Sequence, residues 1–288
     1  NNRLEARNGG TLVLDSNVAN GAGGMILADN GTVRQSGVRI AGGTISGANG
    51  GTLQVTSSSA NFVQNTTISG VMDMASIANS RQRVTGGLTL NGRIDINGNG
   101  ILSFDDTNTL GGTGSIVFGS TGAGNRIDLS GDGTTTFGAG ITVRGQNGTI
   151  GDQINIAGTQ TLVNNGSVIS DGGGTISFAE SALVNNGLLR AQTGALNVGV
   201  ALSGSGTLQV DSTGSMALAA GVKTQGTLAM GAAGAALNLS TGNLTINTDY
   251  TNAGAGSGNA FNRRAGVSGT GLIVAGGDVA QVITGATV

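Results

Sequence analysis

The sequence predicts an all-β fold, a three-sided parallel β-solenoid with about 20 residues per coil. Three observations carry that prediction. Short cassettes led by Gly recur at a nearly fixed period, apolar and polar residues alternate inside each cassette, and the composition supplies no bulky residues for a globular core. The chain has 288 residues with 56 Gly, six Phe, one Tyr and no Pro, Cys, His or Trp. An interior made from such a chain has to be many thin layers of Leu, Ile, Val and Ala, which suits an elongated stack. Disorder is the competing reading of so much Gly, but disordered chains are poor in hydrophobics and rich in charge. Here hydrophobic residues make up 38% and charged residues 10%.

The clearest register lies in the second half. Gly174-Thr-Ile-Ser-Phe178, Gly194-Ala-Leu-Asn-Val198, Gly214-Ser-Met-Ala-Leu218 and Gly234-Ala-Ala-Leu-Asn238 start at intervals of 20, the last with its apolar pair shifted by one residue. A second series, Gly166-Ser-Val168, Gly187-Leu-Leu189, Gly206-Thr-Leu-Gln-Val210 and Gly226-Thr-Leu-Ala-Met230, interleaves with the first in steps of 21, 19 and 20. A third apolar element, Leu162-Val163, Leu183-Val184, Leu202 and Val222, keeps nearly the same period. Three short strands per period describe a coil with three sides. Alternation with period two then sends Leu208, Val210, Leu228 and Met230 inward and Thr207 and Gln209 to water. No helical stripe competes with this pattern, and Gly and β-branched residues disfavour a helix.

The first half is looser. Gly10-Thr-Leu-Val-Leu14, Gly51-Thr-Leu-Gln-Val55, Gly92-Arg-Ile-Asp-Ile96 and Gly114-Ser-Ile-Val-Phe118 are spaced by 41, 41 and 22 residues, which reads as two, two and one coils. Shorter cassettes, Gly31-Thr-Val33 and Ile127-Asp-Leu129, lie between them. The expectation is one continuous solenoid over residues 1–249, of ~14 coils and 65–70 Å at ~4.8 Å per coil. Residues 250–288, with Tyr250, Phe261 and the Arg263-Arg264 pair, read as an irregular segment followed by further strands, either a cap or the start of another module.

The turns form a candidate ladder. Leu162-Val-Asn-Asn-Gly166 recurs as Leu183-Val-Asn-Asn-Gly187 one coil later, so Asn165 should lie beneath Asn186 and share amide hydrogen bonds with it. Asn and Gly are also the residues that accept positive φ at least cost.

Leu202-Ser-Gly-Ser-Gly-Thr-Leu208, Leu110-Gly-Gly-Thr-Gly-Ser-Ile116 and Val163-Asn-Asn-Gly-Ser-Val168 resemble the repeats of autotransporter passengers and filamentous-haemagglutinin-like exoproteins of Gram-negative bacteria. The stretch Ala260-Phe-Asn-Arg-Arg-Ala-Gly-Val-Ser-Gly-Thr-Gly271 is similar to segments of very large β-strand-repeat surface proteins. The resemblance covers most of the chain and implies a right-handed parallel β-helix, export across two membranes, and display or release at the cell surface. It specifies a coil rather than one activity.

Enzymatic chemistry finds little support in the residues. Asp105-Asp106 with Asn108 has the form of a paired-carboxylate site, and Asn247-Thr-Asp249 resembles one motif of the polygalacturonases. The order of those motifs is reversed here, the gap is ~140 residues, and there is no His. Both are expected to be turn residues, and no catalytic residue is assigned. No cofactor is expected: the nine-residue Gly/Asp calcium repeat is missing, Gly131-Asp-Gly133 and Asp171-Gly-Gly-Gly174 stand alone, and His and Cys ligands for zinc are absent. With a net charge of −2 and no basic stripe, no nucleic-acid partner is expected. Neither a signal peptide nor a membrane-spanning run is recognisable, which suggests a segment of a longer exported chain. The resulting functional expectation is a stiff stalk or scaffold of a secreted or surface-displayed adhesin. Its partners would be surface proteins, glycans or host and neighbouring cells, reached through adjoining modules. A head-to-tail filament is the alternative, and a polysaccharide-active enzyme a remote third. Mixed outward pairs such as Thr207/Gln209 and Ala195/Asn197 argue against a flat ice-binding array.

Overall fold

A computed structural model describes residues 3–231, 234–240, 243–252, 267–269 and 273–275. All the regular structure among them is β, in short strands that pair only in parallel, each with the strands one coil before and after it. The pairings sort into three faces. Arg3–Arg7, Met25–Asp29 and Thr44–Ala48 begin face 1; Thr11–Leu14, Thr32–Gln35 and Thr52–Val55 begin face 2; Val18–Ala19 and Arg39–Ala41 begin face 3. The chain visits the faces in this order through about 12 turns of about 21 residues.

The expected registers are found residue by residue. Ser167, Leu188, Thr207 and Thr227 stack on face 2. Thr175, Ala195, Ser215 and Ala236 stack on face 3, including the one-residue shift at the last step. Leu208, Val210, Leu228 and Met230 are buried, between 0 and 3% exposed. The coils of the middle are longer than expected. Ser115 pairs with Thr142 and Thr142 with Ser167, steps of 27 and 25 residues, so there are fewer coils than the ~14 a constant period implies. The stack is correspondingly shorter, ~55–60 Å at ~4.8 Å per coil.

Each strand contributes about two inward side chains per layer, and these meet their equivalents directly above and below. The resulting interior runs unbroken from Leu14 to Ile246. Burying each Leu, Ile or Val is worth roughly 1.5–3 kcal/mol, so the stack is held by many equal small contributions. Glycine serves this geometry at one corner above all. Between faces 1 and 2, Gly31, Gly51, Gly92, Gly114, Gly166, Gly187, Gly206 and Gly226 precede successive strands. A Cβ on any of them would run into the backbone of the coil below. At that corner the coils touch main chain to main chain.

Three expectations are corrected. The Asn-Asn-Gly turns do not use left-handed backbone: positive φ falls instead at Asn8, Asn30, Asn49, Asn65, Asn79 and Asn99. Gly166 and Gly187 are required by close approach, not by φ. Val222 does not continue the third apolar series, since it is 78% exposed and Lys223 takes the inward place, paired in register with Leu244. A lysine can do this because its four-carbon stem is apolar. Its Nζ donates to the Gly221 carbonyl at 2.7 Å, and burial lowers its pKa. Finally, Tyr250 does not break the pattern. It lies in Leu244–Asn252, 1% exposed and in register with Leu228, so the coil continues beyond residue 249. Val267–Gly269 and Ile273–Ala275 pair onto the preceding coil. Phe261, Arg263, Arg264 and the strand expected near Val279 to Ile283 lie outside the described residues.

Candidate functional site

The largest departure from the repeat is a strap on the corner between faces 3 and 1. Face 3 ends at Gly151, the next strand of face 1 begins at Gln160, and the eight residues between them fold back over the outside of face 3. Beneath it the pleat brings four outward side chains together. Ser103 and Asp105 of Ile101–Asp105 stand in register with Asp128 and Ser130 of Arg126–Ser130. Asp128 is fully buried and accepts four hydrogen bonds: Ser103 Oγ at 2.5 Å, Ser130 Oγ at 2.6 Å, Asn155 Nδ2 at 2.9 Å and the Ile154 amide at 2.8 Å. Asn155 Nδ2 also donates to Ser103 Oγ at 2.7 Å. Further bonds run from Gly131 N to Ile156 O at 2.8 Å and from Thr159 N to Asp132 Oδ1 at 2.6 Å. Arg126 pairs with Asp152 at the strap's root. A buried carboxylate with four donors around it is satisfied as it stands. The strap's Ile154 and Ile156 face outward, 39 and 42% exposed.

The predicted carboxylates sit beside this cluster. Asp105 is 8% exposed and paired with Arg83 at 2.7 Å. Burial raises its pKa, and the Arg83 guanidinium opposes the rise. Asp106 occupies the turn with φ +56, so of the two only Asp106 is the turn residue expected. Asn108 is buried, its Nδ2 donating to Val84 O at 3.1 Å and Asp105 O at 3.3 Å. Asp249 lies between six and seven coils further on, in Leu244–Asn252, ~32 Å away along the stack at ~4.8 Å per coil. The two motifs singled out in the sequence therefore do not meet. Asp132 and Asp171, the isolated calcium candidates, are bonded to the Thr159 amide and to Arg144 at 2.6 Å. Among the described residues no three His, Cys, Asp or Glu side chains converge on a metal-sized site.

Asn165 and Asn186 lie on successive coils at the exposed corner, where Asn186 Nδ2 donates to Asn165 Oδ1 at 3.2 Å. A second amide ladder, which sequence reasoning missed, lies inside. Asn164 Nδ2 donates to Asn185 Oδ1 at 2.8 Å, and Asn185 Nδ2 to Gln225 Oε1 at 2.7 Å. All three residues are fully buried. The alternation carried the signal: with Leu162 inward and Val163 outward, Asn164 points in. The first bond joins successive coils and the second spans two, so part of the polarity inside the stack is met by other side chains, while Asn164 Oδ1 stays without a partner.

An open groove of about 700 Å³ runs along Arg93, Asn97, Arg144, Gln146 and Asp171. Both its arginines are engaged, Arg93 with Asp95 at 2.8 Å and Arg144 with Asp171. Among the described residues no helix is long and apolar enough to cross a membrane. Comparison with protein-family models, curated proteins and solved structures found no match for this chain.

Proposed function

We propose that the chain is a stiff spacer: a β-solenoid stalk that sets the distance between other parts of an exported surface protein. The observation that carries this reading is the unbroken interior, in which every coil is cemented to its neighbours by the same parallel ladder and the same apolar columns. A body built that way resists bending and stretching along its axis. The polar side chains that resemble chemistry are consumed within it: Asp105 by Arg83, Asp128 by the strap, Asp171 by Arg144. On this reading the carboxylates are structural, the chain is not an enzyme, and adhesion belongs to adjoining modules. Exposure on the outside of a Gram-negative cell is part of the proposal and follows from the resemblance of its cassettes to exported repeats.

Electron microscopy and small-angle scattering of the purified segment test the mechanical reading. A rod ~55–60 Å long is expected, and excision of residues 188–206, which joins Gly187 to Thr207 in register, should shorten it by one ~4.8 Å step without unfolding it. A compact particle, or polysaccharide turnover lost on Asp105→Asn, would overturn the proposal. End-to-end growth with concentration would favour the filament instead.

A further inference from the structure

Ten Asn-Gly pairs punctuate the chain, and all of them lie among the described residues. The pair is chemically special because glycine carries no Cβ to hinder its amide nitrogen, which is then free to approach the side-chain carbonyl carbon of the asparagine before it. In a folded chain that approach is restrained wherever the main chain of the two residues is hydrogen-bonded. Nine of the ten pairs are tied in this way. Gly9, Gly92, Gly98, Gly100 and Gly187 donate their amides to carbonyls of the same or a neighbouring coil. Asn20, Asn30, Asn147 and Asn165 donate theirs to the carbonyls of Ala41, Ala48, Gly119 and Phe137.

Asn49-Gly50 is the exception. No main-chain N–H or C=O of either residue takes part in a hydrogen bond among the described residues. The two form the tip of a turn between faces 1 and 2, closed at its base by Gly51 N–H donating to Ala48 O at 2.9 Å. Both are left-handed, with φ +50 and +80. Both are also exposed, and a Cβ on Gly50 would meet nothing within 4 Å. The length of the link explains this freedom. Asn49 to Gly51 is one residue longer than the Ser69-Gly70 link of the coil above, whose Gly70 packs on Gly47, so the tip stands clear of that coil. Its one tie is a side-chain bond at the surface, from Asn49 Nδ2 to Asp29 Oδ1 at 2.6 Å.

We propose that Asn49-Gly50 is a site of spontaneous modification, where Asn49 loses ammonia and becomes aspartate or isoaspartate ahead of the other nine pairs. The Gly50 nitrogen gives up its proton and attacks Asn49 Cγ. The N–Cγ bond forms, the Cγ–Nδ2 bond breaks, and Nδ2 leaves as ammonia with that proton. Water then adds to one carbonyl of the resulting five-membered imide and reopens it. Opening at Cγ leaves aspartate, and opening at the main-chain carbonyl leaves isoaspartate, with the chain routed through Cγ. Nothing is oxidised or reduced, and water is the one co-reactant. Either product adds a negative charge to the turn and removes the donor that Asp29 holds, and with the ammonia gone the change is one-way.

The intact segment, incubated in heavy-oxygen water at mildly alkaline pH, then digested in ordinary water and mapped by mass spectrometry, tests this. Label should enter at Asn49 first, at least roughly tenfold faster than at any other Asn-Gly pair, because an unbonded link needs less local unfolding than a bonded one. An isoaspartyl methyltransferase should methylate the same peptide. In denaturant the lead should vanish, with all ten pairs reacting at similar rates. Equal or faster labelling of another pair in the folded chain, an Asn49 that stays unlabelled, or an undiminished lead of Asn49 in denaturant would each overturn the proposal.

Discussion

Residues 160–240 and residues 3–151 wind on the same three faces yet spend their residues differently. In the later coils the face 2 steps are 21, 19 and 20 residues, and the stretch holds five charged side chains: Asp171, Glu180, Arg190, Asp211 and Lys223. Glu180 and Lys223 are buried, and Arg190 pairs with Asp211 at 2.6 Å. The earlier coils contain the 22-residue step from Val71 to Arg93 and the 27- and 25-residue steps around Thr142. They carry the Arg39–Phe62–Arg83 stack, with guanidinium carbons 5.4 and 4.7 Å from the ring centre, and the cluster under the strap. Their interior also admits Asn61, Gln82 and Asn125, where the corresponding columns later hold Ile176, Phe178, Leu196 and Val198. The difference teaches that buried amides alone do not set coil length, since the regular coils also hold Asn164, Asn185 and Gln225 inside. Length departs from the period where a coil builds something on its outside: the 25-residue step from Thr142 to Ser167 contains the strap itself.

The largest effect that could break this comparison comes from the later coils. Leu208 is fully buried and lies between Leu189 and Leu228. Leu208→Asp should cost several kcal/mol unless the acid stays neutral, whereas Thr207→Asp, half-exposed, should cost well under 1 kcal/mol. Thermal melts of the two variants decide it, and equal shifts would mean the inward and outward assignments are reversed. In the irregular coils the matching disruption is Asp128→Ala. It leaves Ser130 Oγ and the Ile154 amide without their acceptor and takes one bond each from Ser103 Oγ and Asn155 Nδ2, and a loss of roughly 2–4 kcal/mol is expected. Limited proteolysis should then cut within residues 152–159 first, and cleavage elsewhere would show that the strap is held by something other than that carboxylate. The smallest expected effect separates two kinds of glycine. Gly187→Ala drives a methyl into the Gly166 carbonyl of the coil below and should cost roughly 1–3 kcal/mol. Gly23→Ala meets nothing within 4 Å and should be neutral or stabilising by roughly 0.4–1 kcal/mol. Chemical denaturation of both resolves the pair.

The same contrast explains what was legible in the sequence. Gly206-Thr-Leu-Gln-Val210 and its relatives announce their faces because one rule, apolar inside, governs every member. Lys223 obeys the rule with its stem and hides that with its charge, so a search for apolar residues settles one place early, on Val222. The strap was beyond such reading for a different reason. Gln153-Ile-Asn-Ile-Ala157 alternates like a strand, and only the placement of Asp128 and Asp132, two dozen residues earlier, draws it onto the outside of the coil. Asp105 and Asp106 were visible as a pair. That Arg83 would reach one of them could not be read from positions 22 residues apart without knowing the local coil length.

The glycine seam between faces 1 and 2 has a consequence for how such a chain can be lengthened or decorated. Where main chain lies against main chain at a glycine there is no room for a guest, and the links across that corner stay between one and four residues among the described coils. The corner between faces 3 and 1 already accommodates the eight-residue strap while the pairing of Gly148–Gly151 with the next coil continues undisturbed. A foreign peptide, an epitope or a fluorophore-bearing loop grafted there, for instance at the exposed Gly221–Val222 turn, should ride on the stack as cargo, and the same graft at Gly187 should split it.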